Sequence, residues 1–123
     1  MGGHVYRIVM IDASPLFLSW VEGLFKGIQD LILMATADTY AQGFHLVGEL
    51  RPDLVMIDGG LSDLFGVKWI QDLNKLLPSA VIVVTSNDPE LEAVILAQGT
   101  RFLLKTSFSL NRLRGILHDS RGV

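Results

Sequence analysis

Cysteine is absent from the 123 residues, which removes disulfide staples and thiolate metal sites together. No apolar run approaches the roughly 18 residues that a membrane-spanning helix needs. The opening Met1-Gly2-Gly3-His4 lacks the basic start and long apolar stretch of a signal peptide, so the expected location is the cytoplasm. Positive charge is not in excess. Ten Lys and Arg against thirteen Asp and Glu leave a formal charge of −3, which offers no bulk electrostatic reason to bind nucleic acid. Arg112, Arg114 and Arg121 read as a solvated helix face. His4, His45 and His118 show no ligand spacing. Gly59-Gly60 is no dinucleotide fingerprint, because it lacks the G-x-G-x-x-G spacing. Met1 to Gly3 and Arg121 to Val123 read as loose ends.

Half of the residues are hydrophobic, ample for the core of one domain, and residues 1–123 are expected to form a single one. Five short apolar runs, at 6–11, 31–36, 53–57, 80–84 and 101–104, have the nearly continuous hydrophobicity of strands covered on both faces. Helical spacing lies between them. Leu16, Phe17, Trp20, Val21, Leu24, Phe25 and Ile28 form a wide stripe, with Ser14 as cap and Pro15 at the first helical position. Tyr40, Phe44, Val47 and Leu50 form a weaker one before Pro52. Val67, Ile70, Leu73 and Leu77 stop at Pro78. Asn87-Asp88-Pro89-Glu90 opens a fourth helix, with a stripe of Leu91, Val94 and Ile95 and an end at Gly99. Leu110, Leu113, Ile116 and Leu117 make the fifth. Trp20 and Trp69 are expected to be packing residues.

This alternation predicts a (βα)5 α/β fold, a doubly wound parallel sheet with the flavodoxin-like strand order 2-1-3-4-5. Four polar residues follow four of the apolar runs: Asp12, Asp58, Thr85 and Lys105. Parallel strands would gather them at one sheet edge, where open α/β sheets place their ligand sites. Two neighbouring carboxylates repel, and a hard cation such as Mg²⁺ between them relieves the repulsion. Phosphoryl transfer asks chiefly for charge neutralisation on three oxygens, which a metal, a lysine and a hydroxyl could share.

Five stretches in order carry a resemblance over nearly the whole chain. They are Arg7 to Phe17 (RIVMIDASPLF), Arg51 to Asp58 (RPDLVMID), Leu64-Phe65-Gly66, Val81 to Ser86 (VIVVTS) and Phe102 to Lys105 (FLLK). The chain resembles the receiver domains of two-component response regulators, the chemotaxis-Y-like family. The resemblance implies that Asp58 is the phosphoacceptor, served by a histidine kinase or phosphotransfer protein. It also implies that Thr85 hydrogen-bonds the phosphoryl group and Lys105 pairs with it. Mg²⁺ would be held by Asp12, Asp58 and the main-chain carbonyl of Gly60. The aromatic at Phe102 would swing between buried and exposed states on activation. Output would pass through the fourth helix, fifth strand and fifth helix, a face that could also make a homodimer. Nucleic acid would be reached only through an output domain absent from this chain.

Departures from that family sharpen the expectation. Ala13 stands where a directly ligating acid is usual, so the acidic pocket falls from three carboxylates to two and Mg²⁺ binding is expected to be weak. Ser62 replaces a usual proline, Phe65 a usual acid, and Thr106 a proline that normally follows the lysine by a cis bond. A non-proline cis bond costs about 3 kcal/mol, so a trans bond is expected at Thr106. The alternative reading is a pseudo-receiver, an interaction or dimerisation module that is not productively phosphorylated. An aspartyl-phosphate phosphatase would need an acid two residues after its nucleophile, and Gly60 stands there; no enzymatic activity is expected.

Overall fold

The computed structural model describes residues 3–120, so Met1, Gly2 and the Arg121 to Val123 end lie outside the described residues. Strands β1 (Tyr6–Ile11), β2 (Leu31–Ala37), β3 (Leu54–Asp58), β4 (Val81–Ser86) and β5 (Arg101–Leu104) form one sheet in the order β2-β1-β3-β4-β5. Every neighbouring pair is parallel, as the flavodoxin-like expectation requires. The helices are α1 (Pro15–Phe25), α2 (Tyr40–Leu50), α3 (Lys68–Leu76), α4 (Glu92–Ala97) and α5 (Leu110–Ser120). Residues Pro89–Leu91 form a 3-10 turn ahead of α4. The proline-initiated opening therefore tightens into 3-10 geometry, and α4 proper is only 6 residues long.

The pleat divides the strand residues between two cores. Val9, Ile11, Val55, Ile57, Ile82, Val84 and Phe102 pack with α2, α3 and α4 residues such as Val47, Ile70 and Ile95. Ile8, Met10, Leu54, Met56, Val83 and Leu103 pack with Val21, Phe25, Leu113 and Leu117 of α1 and α5. β1 and β3 are buried on both faces along nearly their whole length. β2 is not: it is a sheet edge, and Ile32 is 46% exposed on it. β2 therefore departs from the two-sided cover expected of it, with only its first and last residues buried. The register of β2 also skips between Ile8 and Val9 of its partner, with Leu33 and Ala35 as successive matches, the signature of a bulge.

Local chemistry sets the helix limits. Ser14 Oγ accepts the Phe17 N–H at 3.2 Å, and Pro15 supplies the first turn without an amide that would go unsatisfied. α2 packs closely on β1 through Gly43, where a Cβ would collide with the Ile11 side chain. α2 ends at Arg51, which takes a left-handed φ of 48°. Among the described residues no peptide bond is cis, Lys105-Thr106 included. No helix among the described residues is long and apolar enough to cross a membrane. Trp20 packs its ring against Phe17 and Phe108 as expected, yet remains 49% exposed, because its helix packs against the sheet mainly through Val21 and Phe25. One sequence expectation needs correction. Arg114 is not a free surface charge: it makes two hydrogen bonds to the Asp30 carboxylate, at 2.9 and 3.0 Å. That guanidinium holds the Asp30 carboxyl below its usual range.

Candidate phosphoryl site at the carboxyl edge of the sheet

Register brings the strand-end residues together. Ile11 pairs with Ile57, so Asp12 and Asp58 leave adjacent strands side by side. Asp58 pairs directly with Thr85, and the Gly59 N–H donates to the Thr85 carbonyl at 2.8 Å, extending that ladder. β3 and β4 reach slightly further than their apolar runs, so that Asp58 and Thr85 are themselves strand residues. Lys105 begins the 3-10 turn Lys105–Ser107 after β5. All four expected side chains thus stand at one edge.

Lys105 is the hub. Its Nζ lies 2.8 Å from Asp12 Oδ2 and 3.4 Å from Asp58 Oδ2. Asp12 is fully buried and the lysine side chain is only 10% exposed. The contact with Asp12 is an ion pair rather than an aligned hydrogen bond, since Asp12 Oδ2 has no hydrogen-bond donor in good geometry. The opposite oxygens are held by main chain: Asp12 Oδ1 accepts the Ser14 N–H at 2.8 Å and Asp58 Oδ1 accepts the Gly60 N–H at 3.0 Å. Ala13, between Asp12 and Ser14, is exposed and brings no donor atom to the site from its side chain. Among the described residues no group of three His, Cys, Asp or Glu could hold a metal.

Two supports lay outside the sequence reading. The Phe17 ring centroid lies 4.7 Å from Lys105 Nζ, close enough for a cation–π attraction. Phe17 in turn contacts Trp20 and Phe108, with ring centroids 5.9 Å away in each case, so α1 and the segment before α5 brace the lysine. The second support is Asp63, in the loop after Asp58. Its two oxygens accept the N–H groups of Tyr40 and Ala41 at 2.9 and 3.0 Å, tying that loop to the start of α2. Trp69 holds the same loop from the other side, donating Nε1–H to the Gly66 carbonyl at 3.0 Å. The Tyr40 hydroxyl donates to the Trp69 carbonyl at 3.2 Å. Burial, and then the charges of Asp72 and Asp63, push the Tyr40 phenol up to about 12. Neither support has a local sequence signal. Asp63 lies 23 residues from the helix it caps, and Phe17 reads from sequence as one more residue of an apolar stripe.

Phe102 is buried, 8% exposed, among residues packed under α3 and α4. Its backbone pairs with Val84, next to Thr85.

Comparison with known proteins bears on the family and the fold. Residues 8–118 match the response regulator receiver domain family. The probable C4-dicarboxylate response regulator DctR of Bacillus subtilis is 25% identical over 119 residues, covering 95% of this chain and 53% of that protein. The nitrate/nitrite response regulator protein NarL of Escherichia coli K12 is 29% identical over 90 residues, which is 73% of this chain and 42% of that one. The chain thus spans about half the length of the curated relatives it matches. In fold it is similar to the signal receiver domain of the putative response regulator NarL from Mycobacterium tuberculosis. That match has a TM-score of 0.81 at 23% identity and covers 98% of this chain and 100% of that one.

Proposed function

The chain belongs to the response regulator receiver domain family, and from that premise we propose that Asp58 is the phosphoacceptor of a two-component phosphorelay. The observation that carries the reading is the setting of the Asp58 carboxylate. One oxygen faces the Lys105 ammonium at 3.4 Å, the other accepts the Gly60 N–H, and Thr85 is the register partner. The donor would be a phosphohistidine on a histidine kinase or phosphotransfer protein. A carboxylate oxygen of Asp58 attacks phosphorus, the P–N bond breaks, and the imidazole leaves and is protonated by water. Little covalent assistance is needed for such a transfer; its demand is charge neutralisation on the transferred oxygens. Lys105 answers that demand with a charge already beside the nucleophile, and Thr85 with a hydroxyl.

Receiver domains generally bind Mg²⁺ at this site. The donors here fit a dication poorly: the acid expected at Ala13 is missing, and each oxygen of Asp12 and Asp58 already faces a protein N–H or ammonium. No step is assigned to a metal, although Asp12, Asp58 and the Gly60 carbonyl remain the positions the family would use.

Output is proposed through α4, β5 and α5, where the half-exposed Val94 and Leu96 of α4 offer apolar contact area for a partner or a second copy. The buried Phe102 beside the Thr85 strand would report the phosphoryl group to that face as a shift between two packings. The same Ala13 favours a second reading, a pseudo-receiver that keeps the fold and interaction face without phosphorylation. Amide NMR with beryllofluoride and saturating Mg²⁺ separates the two. Shifts spreading from Asp58 through Thr85 to Phe102 support the phospho-switch, and an unmoved spectrum supports the pseudo-receiver.

A further inference from the structure

We propose that the β2 edge of the sheet, with the end of α1 beside it, is a self-complementary surface that pairs two copies of this chain about a two-fold axis. It lies at the opposite end of the sheet from β5. The surface is therefore separate from the α4-β5-α5 face, and the pairing asks for no phosphoryl group on Asp58.

Among the described residues β2 has only β1 beside it, so the outer N–H and C=O groups of its edge have no strand to pair with. Such an edge invites strand addition, and native edges are commonly blunted by charge, proline or a bulge. Leu31–Ala37 reads LILMATA, with no charge and no proline. Its bulge falls between Leu33 and Ala35, which leaves Leu31, Ile32 and Leu33 as a regular apolar stretch ahead of it. Ile32 is 46% exposed there. Alongside runs a groove of about 280 Å³ between β2 and α1, lined by Phe25, Ile28, Ile32 and Leu33 and flanked by Glu22 and Lys26.

The two charges point to the occupant. Glu22 and Lys26 are exposed, of opposite sign and four residues apart, a spacing at which a pair on a helix can close on itself. Here it does not. α1 ends at Phe25 and Lys26 leaves it with an extended backbone, and among the described residues neither side chain is in an ion pair. An acid and a base beside one apolar groove form a patch complementary to itself. In a two-fold contact residue i meets j and j meets i, so Glu22 of each copy faces Lys26 of the other. A wholly acidic or wholly basic partner would answer one of these charges and oppose the second. An axis perpendicular to the sheet at Ile32 sets the two β2 strands antiparallel and keeps both α1 helices on one side of the joined sheet. Both α4-β5-α5 faces then lie at its far ends. The apolar stretch is short, so the pairing is of the weak kind that concentration drives.

Sedimentation velocity of the unphosphorylated full chain, over a micromolar to millimolar series, tests the proposal. The variants are Ile32→Lys, Leu96→Lys, Glu22→Lys, Lys26→Glu and the double exchange Glu22→Lys/Lys26→Glu. Wild type is expected to pass from monomer toward dimer within the series. Ile32→Lys should hold the chain monomeric, whereas Leu96→Lys, on α4, should leave dimerisation as it is. Each single reversal sets like charges face to face and should weaken the dimer about tenfold or more, while the double exchange should recover it to within about threefold. All three positions at the β2 edge are exposed, and the charge exchange carries the test by itself should Ile32→Lys fail to fold. A wild type that stays monomeric throughout would overturn the proposal. So would an Ile32→Lys chain that dimerises as wild type does, a double exchange no better than the single reversals, or loss of the dimer in Leu96→Lys.

Discussion

Phe17 sets its aromatic ring against the ammonium of Lys105, with 4.7 Å between ring centroid and Nζ. The contact links α1 to the site lysine directly, and it turns a residue that reads as core into part of the pocket. A cation–π contact is worth about 0.5–1 kcal/mol when exposed and about 2 kcal/mol when desolvated. Lys105 is nearly buried, so the upper half of that range applies. Phe17→Leu should therefore cost about 1–2 kcal/mol of stability in urea denaturation, part of it from the lost ring contacts with Trp20 and Phe108. In a Lys105→Met background the same change should cost less by about 1 kcal/mol or more. Equal costs in the two backgrounds would mean that the ring only packs.

Asp63 makes the second link, between the loop that follows Asp58 and the N-terminus of α2. A carboxylate accepting two N–H groups at a helix start satisfies orphan donors and opposes the positive end of the helix dipole. Asp63→Ala should cost about 1–2 kcal/mol. It should also speed hydrogen exchange at the Tyr40 and Ala41 amides, while Asp63→Asn, which keeps an acceptor, should recover a good part of the loss. Unchanged exchange at both amides would remove the tie from the account.

Tyr40 gives the fold a pH dependence with a definite sign. Burial, aided by the charges of Asp72 and Asp63, raises its phenol to about 12, while in the unfolded chain it ionises near the ordinary value of about 10. The folded group therefore keeps its proton after the unfolded one has lost it. Its contribution to stability is fully present below about pH 10 and falls away as pH rises toward about 12. In a Tyr6→Phe background, absorbance titration of the single remaining tyrosine should show ionisation well above about 10 in the native chain. A midpoint at the ordinary value would contradict the buried setting.

The order of the strands was legible because each strand is a short apolar run between helical stripes, and five such alternations leave few topologies open. The meeting of Asp12, Asp58, Thr85 and Lys105 followed from that order, since each residue stands at a strand's carboxyl end. What escaped the sequence was long-range or one-sided. Ile32 on the edge strand β2 is half exposed, helix rotation left Trp20 half outside, and Arg114 found Asp30 84 residues away. The preference of Lys105 for Asp12 over Asp58 was equally hidden. Spacing brings three charges to one edge, but side-chain geometry decides which pair closes.

The central claim is that Asp58 takes a phosphoryl group. Intact-mass spectrometry of the chain after incubation with acetyl phosphate, with and without Mg²⁺, tests it most directly. The account predicts one added phosphoryl group on wild type, lost in Asp58→Asn and reduced in Lys105→Met. No adduct under either condition, or an adduct that survives Asp58→Asn, would contradict it.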